Sequence, residues 1–405
     1  MITRVGVPVQ SQAEPSAPDP NRPTLLCFSH LRWDFVFQRP QHLMSRFADE
    51  MTVVYWEEPM DIGRRETPFL KVREAADAPG VRIVVPHLPE GLSEERREEA
   101  LRRLLDAYSA GLTRPLIAWY YTPMMLPFSR GLDVSAVVYD CMDELSKFRF
   151  APERLLDLEQ ELIEAADVVF TGGSSLYEAK KNRHDNVHCF PSSVDRAHFA
   201  KARAGRPDPD DQADLPRPRL GFYGVIDERF DIELLRQIAD IRPNWSFVMV
   251  GPVVKISEDE LPRAANIHYL GSKTYEQLPA YLGGWDVALM PFAMNDSTQF
   301  ISPTKTPEYL AGGRPVVSTP VRDVVRHYGH LQGVKIACDA DGFIACCERM
   351  LDLSRQKDGD WLAEADLMLS ASSWSTTQAR MSALVRDALG EKAGEDSQAL
   401  LVAAE

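Results

Sequence analysis

The chain of 405 residues has 45 Lys and Arg against 60 Asp and Glu, a net charge of −15 at pH 7, and an apolar fraction of 44%. A chain of this length is longer than a domain with a single hydrophobic core usually is, which predicts two domains. The acidic balance argues against a dedicated nucleic-acid binder, which would carry a basic surface. It still permits an anionic substrate, because a few focused Arg and Lys side chains can hold one.

The amino-terminal half predicts a disordered leader followed by one domain. Residues 1–22 are rich in Pro, Ser and Gln and lack the apolar segment of a signal peptide. From residue 23 to 201, short apolar runs alternate with amphipathic segments, which predicts a parallel sheet covered by helices on both faces. The predicted strands are 24–29, 52–56, 81–86, 115–121, 136–140, 167–172 and 186–190, and the predicted helices include 39–50, 93–111 and 152–166.

The carboxyl-terminal half repeats this organisation after a break. Residues 202–219 are rich in Pro, Asp and Arg and predict an interdomain linker. Residues 220–372 predict a second domain, with strands at 220–224, 246–252, 267–271, 286–292, 314–319 and 334–338 and helices at 231–241, 274–284 and 341–353. An amphipathic helix at 373–390 could pack back on the first domain, and residues 391–405 predict a frayed tail. The predicted fold class is α/β, with two Rossmann-like, doubly wound domains that face a cleft, where such sheets bind ligands.

The cysteines and histidines predict neither disulfides nor a metal site. None of the six cysteines forms a C-x-x-C pair, so a reducing compartment such as the cytoplasm is expected. The histidine pairs at 184 and 188 and at 327 and 330 lack the Cys or Glu partners of a zinc site. No run of 18 apolar residues occurs that would predict a membrane span. We therefore expect at most peripheral contact with the inner face of a membrane.

The segment ISPTKTPEYLAGGRPVVST, residues 301–319, predicts a helix that could hold phosphate. Ser302 or Thr306, each followed by Pro, would be its N-cap, and a Gly pair ends it before a buried strand. The first N–H groups of a helix are unpaired and partly positive, so phosphate oxygens can bind there. Lys305 adds a full charge, and the carboxylate of Glu308 could accept hydrogen bonds from a ribose. The alternative is a surface salt bridge between Lys305 and Glu308.

This segment contains the pattern P-x-K-x-x-E-Y-L-A-x-G-x-P-V-V and resembles the nucleotide-sugar site of retaining GT-B-fold glycosyltransferases of group 1, which are family 4-like. Residues 220–231 resemble the strand and glycine loop that open the family's donor domain, and residues 266–292 resemble its base-binding segment. The resemblance covers roughly residues 24–390. It implies a metal-independent hexosyltransferase without an organic cofactor. Such an enzyme moves a sugar from a nucleoside-diphosphate sugar to a glycan or lipid-linked acceptor, in polysaccharide or cell-surface glycan biosynthesis.

The resemblance places the donor in the second domain. It implies that the base lies near Gly271, Ser272 and Lys273, and that the ribose lies on Glu308. The residues expected around the phosphates are Gly224, Ser302, Thr304, Lys305 and Arg229. Gly224 ends a strand without a side chain that would block a phosphate, and the fork of the Arg229 guanidinium suits phosphate oxygens. A solvated loop arginine is the alternative for Arg229. Stabilisation of the departing diphosphate by Lys305 and Arg229 would be the main catalytic contribution.

The loop SHLRWDFVFQRPQHL, residues 29–43, follows the first strand and is dense in polar and aromatic side chains. The resemblance implies that it faces the donor and shapes the acceptor site, with His30, Trp33 and Arg39 as the candidate residues. Trp33 could stack on a sugar face and Arg39 could meet a phosphate. The alternative is a polar loop with Trp33 in the core.

The segment VVYDCMDE, residues 137–144, ends a predicted strand with carboxylates. Strand ends that face the cleft are where catalytic groups lie in such sheets, and the resemblance implies one close to the reacting sugar. Asp143 is the candidate, while Asp140 is expected to pair structurally. Helix capping is the alternative for both.

Two features depart from the family pattern. Phe300 stands eight positions before Glu308, where the family usually has an acidic residue, with Asp296 or Asn295 as possible substitutes. Val225 directly follows Gly224, where the family often has Arg or Lys nearby. These departures leave open a catalytically silent GT-B scaffold that binds a partner or glycan, and another GT-B reaction such as phosphorolysis or epimerisation also stays open. The absence of G-x-G-x-x-G after a strand argues against a dinucleotide oxidoreductase.

Overall fold

Two β-sheets, each covered by helices, form the protein in a computed structural model that describes residues 9–11, 22–205, 207–356 and 359–402, of which 9–11 and 391–402 as backbone only. The first sheet comprises β1 Val9–Ser11, β2 Thr24–Ser29, β3 Thr52–Glu57, β4 Met60–Ile62, β5 Phe69–Ala75, β6 Ala78–Pro89, β7 Leu116–Tyr120, β8 Ala136–Cys141, β9 Val168–Thr171 and β10 Val187–Cys189. The second sheet comprises β11 Arg219–Tyr223, β12 Ser246–Val250, β13 Ile267–Tyr269, β14 Val287–Met290, β15 Val316–Ser318 and β16 Val334–Ile336.

The helices of the first domain and of the crossing segment are α1 Arg39–Phe47, α2 Glu94–Ser109, α3 Leu126–Ser129, α4 Leu155–Ala165, α5 Ser174–Lys180, α6 Arg196–Phe199 and α7 Asp210–Ala213. Those that follow are α8 Ile232–Ile241, α9 Leu278–Gly283, α10 Lys305–Ala311, α11 Arg322–Tyr328, α12 Ala340–Ser354, α13 Asp360–Ser370 and α14 Trp374–Val402. Short 3-10 helices cover Pro123–Met125, Leu145–Lys147, Ala200–Ala204, Glu258–Glu260 and Tyr275–Gln277.

Strand order places a switch point in each sheet. The first sheet runs β1-β5-β6-β3-β2-β7-β8-β9-β10, with β4 beside β6, and the second runs β13-β12-β11-β14-β15-β16. In the second sheet, the chain adds β12 and β13 on one side of β11 and then β14, β15 and β16 on the other side. In the first sheet, it adds β3 to β6 on one side of β2 and then β7 to β10 on the other side. Ligands bind beyond the carboxyl ends of the strands at such points. The predicted α/β class with two doubly wound parallel sheets is confirmed.

The apolar strands are buried on both faces, which explains why they read as continuous hydrophobic runs. In β2, Leu25 and Cys27 belong to one core cluster of the first domain, and Leu26 and Phe28 belong to the cluster on the opposite face. Cys27 lies opposite both Tyr55 and Trp119 in the neighbouring parallel strands. The alternation of side chains along a strand thus fills two layers at once.

Three expectations differ from the structure at the edges of the elements. Residues 9–11, inside the predicted disordered leader, form β1 and pair in parallel with β5, while 1–8 and 12–21 lie outside the described residues. The antiparallel β5–β6 hairpin is absent from the predicted elements, because residues 69–75 alternate in burial and lack the short apolar run by which the other strands are predicted. The predicted tail from 391 is helical through Val402 in α14.

The predicted linker packs on the second domain and carries the one-turn helix α7. Gln212 is fully buried, donates to the Tyr281 carbonyl at 3.1 Å and accepts from Trp285 Nε1 at 2.9 Å. Arg219, expected to end this segment, is the first residue of β11. Helix α14 then returns to the first domain, where Trp374 stacks on His42 of α1 with ring centres 4.5 Å apart.

The middle of β11 has no room for a side chain. A Cβ on Gly221 would lie 2.0 Å from Cδ2 of Trp285, whose ring covers that face of the strand. We expect Gly221→Ala to lower the free energy of unfolding by about 1–3 kcal/mol, because the indole would have to move in a packed core. Urea unfolding followed by tryptophan fluorescence measures this change. Gly131→Ala is the control, since a Cβ there meets nothing within 4 Å; equal transitions for the two variants would contradict the packing.

Candidate active site

A cleft of about 520 Å³ lies between the two sheets at the carboxyl ends of their central strands. Its second-domain wall includes Gly224 after β11 and Gly251 after β12, and its first-domain wall includes Asp143 after β8. The sequence therefore directs the ends of several parallel strands to one cavity. Helix α10 completes the second-domain wall.

Helix α10 begins at Lys305, between the two predicted starts. Thr304 precedes it with helical backbone angles and without a side-chain cap, so neither Ser302 nor Thr306 is the N-cap. Pro307 sits in the first turn, where its missing N–H costs no helical hydrogen bond. The helix has 7 residues, about two turns, and Glu308 lies in its first turn.

The Lys305 ammonium lines the cleft and makes no direct ion pair with a described residue, although the carboxylates of Glu308, Asp227 and Asp143 are near enough to oppose the lowering of its pKa by burial. In the part of the chain that the structure describes, no carboxylate forms a salt bridge with it. Its Nζ lies 5.7 Å from the ring centre of Phe222 and 5.8 Å from that of Phe292. Burial, together with the positive charge of Arg229, lowers the pKa of Lys305. A half-buried cation in this setting gains stability when an anion binds, because an unpaired buried charge is costly.

Two glycines bring the backbone close to this ammonium. Gly224 and Gly251 have φ of 138° and 140°, angles that favour glycine. A Cβ on Gly224 would lie 2.2 Å from Cε of Lys305, and one on Gly251 would lie 1.9 Å from the Gly224 carbonyl oxygen. The absence of side chains at both strand ends therefore allows Lys305 to reach the cleft.

Glu308 is buried, with 8% of its surface exposed, and its Oε2 accepts a 2.7 Å hydrogen bond from the Tyr223 hydroxyl. Burial raises the pKa of Glu308 to about 7, although the Tyr223 hydrogen bond and the Lys305 charge oppose this shift. The alternative of a surface salt bridge with Lys305 is wrong, because Glu308 is buried and no such bridge forms.

Arg229 and Asp143 face each other across the cleft. Both Nε and Nη2 of Arg229 donate to the carboxylate of Asp227, at 3.0, 3.1 and 2.7 Å, so its charge is largely compensated. The alternative of a solvated arginine does not fit this contact. Burial raises the pKa of Asp143, and the Arg229 charge opposes the rise. Both residues stay candidates, Arg229 with a reduced share of its charge available for phosphate.

The remaining donor-side candidates are spread along one edge. Ser272, Lys273, Ser302 and Thr304 line the cleft, while Gly271 turns the chain behind it with φ of 68°. The ammonium of Lys273 is already engaged, since its Nζ lies 2.6 Å from an Asp211 oxygen. Lys273 therefore offers its backbone and aliphatic stem rather than a free charge.

Trp33 and Arg39 stabilise the first domain instead of presenting their side chains to an acceptor. Trp33 is only 2% exposed, and its Nε1 donates to Asp77 at 2.8 Å, so the expectation of sugar stacking is wrong and the core alternative holds. Arg39 is also buried. It donates to Asp140 through Nε and Nη2, at 2.8–3.1 Å, and to the Phe190 carbonyl through Nη1 at 2.7 Å. The expectation that Arg39 meets a phosphate is therefore wrong.

His30, the third acceptor-side candidate, lies behind the cleft lining. Its Nδ1 is buried and has no hydrogen-bond partner. Burial, assisted by the charge of Lys255, lowers the pKa of His30 to about 4. The imidazole is therefore neutral near pH 7.

Neither Asn295 nor Asp296 takes the place of the acidic residue that the family usually has at the position of Phe300. Phe300 packs against the core cluster of the first domain that contains Phe28 and Leu176. Asn295 uses its side-chain oxygen within its own turn, accepting from Ser297 Oγ at 2.7 Å. Asp296 is exposed, and neither of these two residues lines the cleft.

Sequence reasoning missed two contacts that join the domains at the cleft. Tyr275 of the second domain stacks between Phe37 and His198, with ring centres 4.6 and 4.1 Å apart, and its hydroxyl is buried without a partner. Asp323 accepts from Ser174 N and Ser175 N of the first domain, at 2.9 and 3.1 Å. Tyr275 follows the predicted base-binding residues closely in sequence, whereas nothing local marked Asp323.

The described residues contain neither a cluster of His, Cys, Asp or Glu suited to a metal ion nor a helix long and apolar enough to cross a membrane. The expectation of metal-independent chemistry stays a prediction. The side chain of Lys305 contributes a positive charge to the cleft.

The fold and the cleft define a GT-B protein, in which two Rossmann-like domains face each other across a ligand site. Residues 217–353 match the family model for Glycosyl transferases group 1. The putative teichuronic acid biosynthesis glycosyltransferase TuaH of Bacillus subtilis (strain 168) is 27% identical over 256 residues. That match covers 58% of this chain and 63% of TuaH, less than two thirds of the relative's length.

Solved structures agree on the fold over nearly the whole chain. The sucrose-phosphate synthase of Thermosynechococcus elongatus superimposes with a TM-score of 0.67 and 16% identity, over 91% of this chain and 100% of that one. Alr3699/HepE of Anabaena, solved in complex with UDP and glucose, gives a TM-score of 0.62 and 12% identity, over 89% and 99% of the two chains. The resemblance to group 1 GT-B glycosyltransferases predicted from the sequence is confirmed.

The buried ion pair of Arg39 with Asp140 has a measurable role in stability. We expect Arg39→Leu to destabilise the protein by about 3–5 kcal/mol, because it leaves the fully buried Asp140 carboxylate unpaired. The double variant Arg39→Leu/Asp140→Leu should recover part of this loss. Chemical denaturation measures both changes.

The matched control for this prediction is Arg97→Leu, which removes an exposed ion pair with Asp61. Such pairs contribute about 0–1 kcal/mol. A loss for Arg39→Leu no larger than that for Arg97→Leu would show that the buried pair is not a structural element of the first domain.

Proposed function

We propose that the protein is a glycosyltransferase of glycan biosynthesis, which moves a sugar from a nucleoside-diphosphate sugar to an acceptor hydroxyl with retention of anomeric configuration. The observation that carries this proposal is the Lys305 ammonium, which faces the cleft beside Gly224 and forms no salt bridge in the described part of the chain. A diphosphate would supply the direct anionic contact that the nearby carboxylates do not make. The match of residues 217–353 to the family model for Glycosyl transferases group 1 supports the same assignment.

The second domain would bind the nucleotide. The diphosphate would lie on Lys305 and the backbone near Thr304 and Gly224, with Nη1 of Arg229 as a further donor. The free Oε1 of Glu308 would accept hydrogen bonds from the ribose, while Tyr223 holds Oε2. The base would lie near Ser272 and Lys273. UDP is the first nucleotide to test, because HepE was solved with UDP and glucose.

The transfer would break the bond between the sugar C1 and the diphosphate oxygen and form a bond from C1 to the acceptor oxygen on the same face. The departing phosphate would take the acceptor proton, so that no separate protein base is required. Lys305 would stabilise the charge that develops on the leaving group, which is commonly the largest catalytic contribution. Asp143, on the opposite wall, would position the acceptor hydroxyl.

Lys305→Ala tests the phosphate assignment. We expect kcat to fall by about 10²–10³, the loss that follows removal of one preorganised charge-stabilising group. The thermal midpoint should stay equal or rise, because the variant removes a half-buried unpaired charge. Donor-dependent release of nucleoside diphosphate measures turnover, after a thermal-shift screen of nucleoside diphosphates and their sugars identifies the donor.

Lys181→Ala is the control for this prediction, since Lys181 forms a surface pair with Glu178 far from the cleft lining. Normal turnover by Lys305→Ala would refute the phosphate site. A catalytically silent scaffold, the alternative that Phe300 suggests, would show no nucleotide binding by calorimetry. Phosphorolysis or epimerisation would yield products other than nucleoside diphosphate and glycoside.

Glu308 predicts opposite pH dependences for stability and for binding. Its pKa is raised in the folded state, to about 7, so stability from the protonated acid is present at low pH and declines as pH rises toward and through 7. The slope reaches at most about 1.4 kcal/mol per pH unit. Nucleotide binding should instead strengthen through this range, because the ionised carboxylate is the better acceptor for a ribose.

Glu308→Gln should flatten both profiles, which denaturation and calorimetry at about pH 5–8 would measure. The nucleotide phosphates ionise equally in both experiments, so their contribution to the pH profile cancels when the variant is compared with the wild type. Identical pH profiles for the two proteins would refute the role of Glu308 at the ribose.

A further inference from the structure

The two walls of the cleft carry opposite charges. Of the described first-domain residues that line it, Asp34, Asp77 and Asp143 are acidic, and only Arg39 is basic. The second-domain wall carries Lys305, which forms no salt bridge in the described part of the chain. The wall that would receive the acceptor is therefore anionic, while the free positive charge lies on the wall assigned to the donor.

The arginines near the first-domain wall are engaged within the protein. Arg39 is 1% exposed, and its guanidinium holds Asp140 and the Phe190 carbonyl. Arg32 pairs with Glu57 at 2.9 Å and donates to the Glu58 carbonyl at 2.7 Å. Arg73 pairs with Asp34. The imidazole of His30 is neutral near pH 7, so it adds no charge. An anion on this wall would find no free cation among these residues.

The same wall suits an uncharged sugar. Carboxylate oxygens accept hydrogen bonds from hydroxyl groups and repel phosphate or carboxylate groups. Asp143 forms no salt bridge within the described chain, so its oxygens are available. Phe35, which is 49% exposed, and Phe37 add apolar surface on which the C–H face of a sugar can lie.

We propose that the part of the acceptor that enters the cleft is an uncharged, polyhydroxylated carbohydrate, and neither a sugar phosphate nor a uronate. This inference rests on the proposed glycosyl transfer and specifies its acceptor. The negative charge of Asp77, which among the described residues accepts only from the neutral Trp33 indole, disfavours anionic acceptors, and Asp143 holds the reacting hydroxyl of a neutral one.

The test compares glucose and methyl glucoside with glucose 6-phosphate and glucuronate, as acceptors in the nucleotide-release assay and as ligands in saturation-transfer NMR with UDP present. We expect the neutral sugars to bind, and to exceed the anionic sugars by at least about tenfold in kcat/KM, which corresponds to about 1.4 kcal/mol. The difference should shrink as salt rises to about 0.5 M, because salt screens exposed charges.

Asp77→Asn should reduce the ratio of kcat/KM for glucose to kcat/KM for glucose 6-phosphate, by lowering KM for the phosphorylated sugar. Asp61→Asn is the control, because Asp61 is an exposed carboxylate outside the cleft lining. A purely structural effect would change both acceptors equally and leave the ratio constant.

Equal or better use of glucose 6-phosphate or glucuronate would overturn the inference while leaving the glycosyltransferase proposal intact. Failure of the neutral sugars to bind would overturn it as well. Absence of UDP and of every other nucleoside diphosphate from the cleft, measured separately by calorimetry, is the distinct result that would overturn the proposed function.

Discussion

A positive charge that forms no salt bridge among the described residues is the constraint on which the proposed site depends. Lys305 reaches the cleft because Gly224 leaves space beside its stem, and Gly224 itself lies against the backbone at Gly251. Removing an ammonium from water costs free energy unless an anion compensates it. In the described part of the chain, Asp227 is paired with Arg229 and Glu308 with Tyr223, so neither neutralises Lys305 directly. The proposed diphosphate would supply this anion.

The division of charge between the walls follows from which residues each domain uses for its own stability. The first domain pairs its arginines with buried or exposed carboxylates, as Arg39 does with Asp140, and leaves Asp143 unpaired. The second domain leaves a cation instead. Two different substrates, one anionic and one neutral, could therefore be sorted to opposite sides of one cavity before any reaction. Asp323 and Tyr275 fix the two walls against each other, through a helix start and an aromatic stack.

The polar loop after the first strand shows the limit of reading function from composition. Trp33 and Arg39 belong to the residue types that bind sugars and phosphates, yet both are buried in the first domain and donate hydrogen bonds to its carboxylates. The sequence does not distinguish a buried arginine that is hydrogen-bonded to a carboxylate and a carbonyl from an arginine that binds a substrate. Glu308 presents the reverse case. Its spacing from Lys305 in the sequence allowed a surface salt bridge, whereas in the structure Glu308 is buried and accepts a hydrogen bond from Tyr223.

The sequence by itself determined the alternation of strands and helices, the two sheets, and the motif around Lys305 and Glu308, because apolar periodicity and local helix signals are encoded by neighbouring residues. It missed the antiparallel hairpin β5–β6 and the strand pairing of residues 9–11. Only the tertiary structure decided which charges are free. Whether Arg39, Arg229 or Lys305 keeps its charge for a ligand depends on carboxylates that the fold brings near, and Asp140 lies 101 residues from Arg39. Pairing across such separations leaves no local trace in a sequence.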